Sequence, residues 1–274
     1  MTAAGFVGSQ ARPDPSMGAQ WWVLTARFIA PTVRNGELAI TIAVSVVFTA
    51  GFYIPLHQIM GNVTRGVASS YAQYLMPLIA LEAITFAAMS TAFRAATDSV
   101  QGVNRRFRSM PIPPFTPVAA RISAALYRCA VSLTVALVCG YTIGFRFRGS
   151  AVDTVVFCVL VLVFGAVLSF AADLLGTGSR NPEAMAPMLT LPPLIFGLLS
   201  VGVQPVEQFP HWVQPFVRNQ PISALVDSLH AAAGDVAPFH TSLTWSVLAP
   251  TLAWLCGLAA LLVPASVVVL SKRA

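Results

Sequence analysis

Charge is what this chain has least of. Only 9% of its 274 residues are Asp, Glu, Lys or Arg, against about 25% in ordinary globular domains. With 56% of the residues hydrophobic, so little charge cannot cover a water-facing surface, and lipid must cover it instead. Lysine is almost missing: Lys272, two residues from the end, is the only one. A GxxxxGK[ST] phosphate loop is therefore excluded, and with it nucleotide binding of that kind. Cysteine is sparse. Cys129, Cys139, Cys158 and Cys256 all fall inside apolar runs and form no CxxC or Cys/His pattern, so they read as small packing residues. HExxH, GxSxG and paired histidines at metal spacing are absent too. His57, His211, His230 and His240 fall in or beside expected outer loops and read as solvated. No catalytic residue, no metal and no cofactor bound by this chain is expected.

What the chain has is long apolar runs. A membrane helix needs about 20 mostly apolar residues, and six segments qualify: about Leu38 to Leu56, Tyr71 to Phe93, Pro117 to Phe145, Ala151 to Ala172, Glu183 to Val203 and Leu243 to Leu270. The expected fold class is an all-α integral membrane protein with six transmembrane helices in a single domain, residues 37–274. Residues 1–19 have no apolar core, so they read as a short disordered tail rather than a cleaved signal. Residues 20–36 read as an interfacial helix. Trp21, Leu24 and Phe28 share one face, and Trp21, Trp22 and Phe28 are the candidate interfacial anchors.

The basic residues set the orientation. With both ends in the cytoplasm, the inside holds eleven of them and the outside four, Arg65, Arg146, Arg148 and Arg218, with Arg128 inside a span. That bias places both termini in the cytoplasm of a bacterial plasma membrane. Nucleic acid is not an expected partner, because the basic residues sit at loops and span ends like topology signals and headgroup contacts. The stretch RAATDSVQGVNRRFRSMPIPPFTPVAAR, Arg94 to Arg121, carries five of the sixteen basic residues. It is the one substantial cytoplasmic loop, and a polytopic chain without a catalytic domain would receive a soluble partner there.

Two further features call for explanation. Pro205, Pro210, Pro215 and Pro221 punctuate the stretch before the last span, which excludes one continuous helix. Ile222, Leu225, Val226 and Leu229 then mark a short amphipathic helix, so the region reads as short helices on or in the outer leaflet. Ionisable residues inside spans are functional candidates by default. Glu82 and Arg128 each lie eleven residues from the cytoplasmic end of adjacent antiparallel spans, about 16 Å deep, and are expected to pair. Asp153, Asp173 and Glu183 lie at span ends, where structural roles are expected. An ion-coupled secondary transporter centred on Glu82 is the alternative reading. It would be expected to carry inverted repeats, and no internal repeat is evident.

Three blocks, RRFRSMPIPPFTPVAARI (105–122), GFRFRG (144–149) and PLIFGLLSVGVQPVEQFPHWVQPFVRNQPISALVDSLHAAAGD from Pro193, resemble permease subunits of type-2 ABC exporters of the daunorubicin-resistance subfamily. The pattern is most similar to mycobacterial members associated with export of the wax lipid phthiocerol dimycocerosate. The resemblance covers nearly the whole chain from about Trp21. It implies an N-terminal elbow helix, a cytoplasmic coupling helix near Thr97 to Arg108, and external re-entrant helices between spans five and six. ATPase coupling would fall on Asp98, Val103, Arg105, Arg106, Phe107 and Arg108. The external exit would involve Phe209, Trp212, Phe216, Gln220 and Asp227. The implied partners are a P-loop ATPase in two copies, which would bind the ATP and Mg, a second permease, homologous or identical, and membrane lipids. The implied cargo is a hydrophobic lipid, polyketide or drug.

Overall fold

The structure, a computed structural model, describes residues 16–63, 70–103, 107, 109–110, 112–113, 115–179, 185–234 and 243–271; the side chains at 56–63, 185–190 and 267–271 lie outside that description. Its axis is helix α3, Tyr71–Val100, capped by the Ser70 hydroxyl, which accepts from the Gln73 amide at 3.1 Å. Nearly every side chain of its first five turns is buried, as expected of a helix that is apolar all round. Helices α2 (Glu37–Val63), α4 (Thr116–Ile143), α5 (Ala151–Gly178) and α6 (Met185–Leu198) pack around it.

Small residues set the closest approaches, as is usual between membrane helices. Along α5, Gly165 lies against Ile84 and Cys129, and Gly176 lies against the Ala92 carbonyl so tightly that a Cβ would run into it. Hydroxyls join α2 to the axis: Ser45 and Ser132 share a hydrogen bond of 2.8 Å, and Ser132 donates to the Ala83 carbonyl at 2.9 Å. Helix α4 carries a proline in its first turn and ends at Gly144, whose φ of +104° suits a residue without a Cβ. Helix α5 starts with a full capping box between Ser150 and Asp153, which gives Asp153 the structural role expected of it.

Helix α1, Met17–Arg34, begins inside the segment expected to be a tail, because the Ser16 hydroxyl accepts from the Ala19 amide at 3.3 Å and caps it. It packs on α4 and α2. Trp21 donates from Nε1 to the Ser123 hydroxyl at 3.2 Å, Thr25 and Thr32 are buried, and Trp22 and Val23 face outward. The face chosen is the one on which Trp21, Leu24 and Phe28 recur.

Among the described residues, five helices are long and apolar enough to cross a membrane: Glu37–Pro55, Tyr71–Val100, Thr116–Ile143, Ala151–Gly178 and Trp245–Ser266. The fifth expected span, Glu183 to Val203, contains the 14-residue α6, which carries Pro192 and Pro193 within it. Turns follow from Leu199, where the Ser200 hydroxyl donates to the Gly197 carbonyl at 2.6 Å. At 1.5 Å per residue the described part of α6 is about 21 Å long, and residues 180–184 before it lie outside the described residues. Next come a 3-10 turn (Val206–Gln208), α7 (Gln214–Asn219) and α8 (Pro221–Ala233), then α9 (Trp245–Ser271) against α5 and α8. Ile222, Leu225, Val226 and Leu229 of α8 are all buried, as their spacing predicts. Gly234, with φ +73°, ends α8 against the backbone of Gly149, and the Arg148 amide donates to the Ala233 carbonyl at 2.9 Å.

Candidate functional site: a charged end, a capped end and a carboxylate between them

The end of the bundle that carries the basic loop is held by charge. Helix α3 continues seven residues past Phe93, so Thr97 and Asp98 form its last turns rather than the start of a separate coupling helix. Gly102, at φ +71°, turns the chain, and Val103 and Phe107 are helical again. Arg105, Arg106 and Arg108 lie outside the described residues. Phe107 is buried and meets the Phe28 ring edge-on, centroids 6.3 Å apart, which ties the loop to α1. Arg94 pairs with Glu37 and donates to the Thr32 hydroxyl at 2.9 Å and the Phe28 carbonyl at 3.3 Å. Arg121 grips Asp173 with two contacts, Nε to Oδ1 at 2.8 Å and Nη2 to Oδ2 at 3.2 Å, and both side chains are buried. Asp98 sits within the charge field of Arg121, Arg94 and Arg27. Reading the sequence missed both pairs, whose partners are 57 and 52 residues apart. The available signal was that each partner lies at a span end on the basic-loop side.

The expected Glu82–Arg128 pair does not form. Arg128 is buried and donates from Nη2 to the Thr91 hydroxyl at 2.9 Å. Thr91 is nine residues along α3 from Glu82, about 13 Å. The register fails because α3 ends at Val100 rather than Phe93, and this shifts every depth counted from the loop. Glu82 is 4% exposed and has no hydrogen-bond or ion-pair partner among the described residues. Its carboxylate lies against Gly197 of α6, where a Cβ would strike Oε1.

The opposite end is closed by neutral hydrogen bonds and apolar burial. Tyr74 donates its hydroxyl to the Val201 carbonyl, and Gln220 donates to the Leu199 carbonyl and, at 3.1 Å, to the Ser223 hydroxyl. His230 is a correction to the solvated reading. It is 2% exposed, stacks on Tyr74 with ring centroids 5.2 Å apart, and its Nε2 lies 2.7 Å from the Tyr74 carbonyl. Of the expected exit residues, Phe209 and Gln220 are buried parts of this cap. Trp212 is 84% exposed, and Phe216 is half exposed and stacked on Phe196 at 5.8 Å. Asp227 turns to the surface, and the Arg218–Glu207 pair at 3.8 Å is fully at the surface as well. Among the described residues no three His, Cys, Asp or Glu side chains come together as metal ligands would.

Comparison with known proteins matches residues 52–268 to the ABC-2 family transporter proteins. The doxorubicin resistance ABC transporter permease protein DrrB of Mycobacterium tuberculosis is 53% identical over 262 residues, which is 94% of this chain and 91% of that protein. The daunorubicin resistance ABC transporter permease protein DrrB1 of Streptomyces coeruleorubidus is 27% identical over 189 residues, 67% of this chain and 66% of its own. The probable doxorubicin resistance ABC transporter permease protein DrrC of Mycobacterium tuberculosis is 25% identical over 232 residues, 83% of each chain.

Proposed function

We infer the function of this chain from its family: it belongs to the ABC-2 family of transporter proteins and is a membrane permease of that family. The permease itself has no catalytic role. We propose that it moves a hydrophobic polyketide-derived product, a lipid such as phthiocerol dimycocerosate or an anthracycline-type drug, out of the cytoplasmic leaflet of the bacterial plasma membrane. A separate P-loop ATPase, present in two copies and binding ATP and Mg, drives the movement, and a second permease, identical or homologous, completes the path. The observation that carries this reading is 53% identity to a named drug-resistance permease over 94% of the chain.

Several observations support the coupling geometry. The basic loop between α3 and α4 docks its Phe107 on α1, and α1 is tied through Arg94 and Glu37 to both α3 and α2. An ATPase that pushed on Asp98, Val103, Arg105, Arg106, Phe107 and Arg108 would therefore move three helices together. Trp21, Trp22 and Phe28 would hold α1 at the cytoplasmic interface. At the other end the cap containing Phe209, Gln220 and Asp227 would form the outer gate, with Trp212 and Phe216 in the outer interface.

The test is purification of the complete chain from its native membrane in mild detergent, with mass spectrometry of what accompanies it. Recovery of a P-loop ATPase with one or two permease species confirms the reading and fixes whether the permease pair is identical or mixed. Recovery of the chain alone, stable and active in transport, overturns it and returns weight to ion-coupled transport at Glu82.

A further inference from the structure

The charge count leaves only four basic residues on the side opposite the basic loop, so the two arginines of GFRFRG need a reason. Exposure alternates along this loop. Phe145 and Phe147 pack on Phe157, with ring centroids 6.4 and 5.2 Å away, and Arg146 and Arg148 are exposed. Alternation puts both arginines on one side of the chain, about 7 Å apart. The loop is fastened to the capped end through its backbone. Gln73, 1% exposed, donates to the Arg146 carbonyl at 2.9 Å and accepts from the Arg146 amide at 3.1 Å, and the Arg148 amide donates to the Ala233 carbonyl. The Arg146 side chain is fixed as well. Its Nη1 donates to the Tyr141 and Phe145 carbonyls, both at 2.6 Å, and its guanidinium lies over the Tyr141 ring, 4.9 Å from the centroid. The Nε and Nη2 donors of that fork remain for an outside ligand. No carboxylate answers either arginine among the described residues: Asp153 accepts from the Ser150 amide and hydroxyl, and Glu207 lies beside Arg218.

Directly before this loop, the outward face of α4 forms a shallow groove of about 430 Å³ lined by Thr134, Leu137, Val138, Tyr141 and Thr142. Both threonine hydroxyls donate to carbonyls of their own helix, Thr134 to Ala130 at 2.8 Å and Thr142 to Cys139 at 2.7 Å. Their hydroxyl protons are therefore satisfied, and the lining is apolar. The groove extends about 12 Å along the helix axis and ends at the Tyr141–Arg146 pair. An apolar run, then an aromatic ring, then exposed cations follow the order of a phospholipid from acyl chain through interface to phosphate.

We propose that this face is a binding site for one anionic phospholipid, its phosphate held by Arg146 and Arg148 and an acyl chain laid along α4 from Tyr141 to Thr134. An arginine fork matches two phosphate oxygens. Charge complementarity favours an anionic headgroup over a zwitterionic one, whose own ammonium offsets the phosphate. Because Gln73 belongs to α3 and Ala233 to α8, the bound lipid would fasten the capped end to its leaflet by charge. The site is independent of the cargo and of the ATPase.

The experiment titrates the complete purified chain, in mild detergent, with phosphatidylglycerol or phosphatidylcholine of the same acyl chains, and native mass spectrometry counts the lipids held. The native chain should hold one phosphatidylglycerol at least about tenfold more tightly than phosphatidylcholine, the size of one charge-assisted hydrogen bond. Arg146→Gln with Arg148→Gln should bring that ratio close to one, and both side chains are exposed, so the variant should fold. Val138→Trp fills the groove and spares the arginines, so it should weaken both lipids and keep the ratio. Glycerol phosphate, a headgroup without chains, should not displace the lipid at equal concentration. A native ratio of one overturns the proposal without needing any variant. So does an unchanged ratio in the double arginine variant, or a Val138→Trp chain that binds lipid as the native chain does. Displacement by glycerol phosphate would make this a site for free phosphate instead. Loss of a second copy of the chain in Val138→Trp, with lipid binding unchanged, would make the face a contact between copies.

Discussion

The two ends of this bundle are held by different chemistry. At the basic-loop end, two ion pairs, Arg94–Glu37 and Arg121–Asp173, fasten α2 to α3 and α4 to α5. At the capped end, Tyr74, Gln220, His230 and Ser228 make neutral hydrogen bonds to backbone carbonyls, over a core that includes Leu225, Val226 and Leu229. A few strong charged links can be exchanged for links to a partner, whereas many neutral links must all be broken together. Under the proposed function, the difference would suit a basic-loop end that receives the push of the ATPase and a capped end that stays shut until the push arrives.

The sharpest way to break the comparison is to strand one charge. Asp173→Ala leaves the Arg121 guanidinium buried without its carboxylate, at an expected cost of about 3–5 kcal/mol. Thermal unfolding of the purified protein in detergent should show it as the largest single loss. Replacing both partners, Arg121→Leu with Asp173→Leu, should recover most of that loss, because two apolar side chains need no partner. If the double variant is as unstable as the single one, the pair does more than neutralise itself.

At the capped end the corresponding change is His230→Ala. It removes a buried ring stacked on Tyr74 together with the bond to the Tyr74 carbonyl. The expected cost is about 2–4 kcal/mol, measured in the same unfolding experiment. His230→Phe keeps the stack and loses the hydrogen bond, so it should fall between native and Ala. Raising the salt concentration should leave both cap variants unmoved, and a salt-dependent change there would erase the distinction between the ends.

The same contrast explains what could be read from the sequence. Apolar runs locate α2, α4, α5 and α9 to within a few residues at most ends, because lipid rewards nothing else. Hydropathy ends the second span at Phe93 and the fourth at Ala172, yet α3 runs to Val100 and α5 to Gly178. In each case a charge follows directly, Arg94 or Asp173, and in each case a partner 50 or more residues away neutralises it. One sequence does not show which distant charge will arrive, so the helix ends and the Glu82–Arg128 register both went astray. The spacing of Ile222, Leu225, Val226 and Leu229 made α8 visible. His230 lies on the same buried face, four residues after Val226 and one after Leu229, and the prolines around it disguised that.

Smaller effects refine the comparison. Glu37→Gln touches a pair whose side chains are 24% and 37% exposed, so its cost should stay within about 1 kcal/mol. The loss should shrink as salt rises. Because Arg94 also donates to Thr32 and to the Phe28 carbonyl, this change should loosen α1 more than it destabilises the bundle. Protease access to the α1–α2 junction, Asn35 and Gly36, should therefore increase while the unfolding midpoint barely moves. An unfolding shift as large as that of Asp173→Ala would mean the two ion pairs act as one unit.

The smallest effect belongs to the exposed rim of the cap. Trp212 is 84% exposed and has no ring partner among the described residues, so Trp212→Ala should change stability in detergent by no more than about 0.5 kcal/mol. A ring that anchors in the membrane interface has no function in detergent and one in lipid. Reconstituted into vesicles, the same variant should quench less readily with brominated lipid, reported by a tryptophan placed at Phe216 in a background where the other four tryptophans are replaced. If the cap sits equally deep with and without Trp212, the ring is not an anchor. The neutral hydrogen bonds of Tyr74, Gln220 and His230 then hold the capped end in place without help from the bilayer.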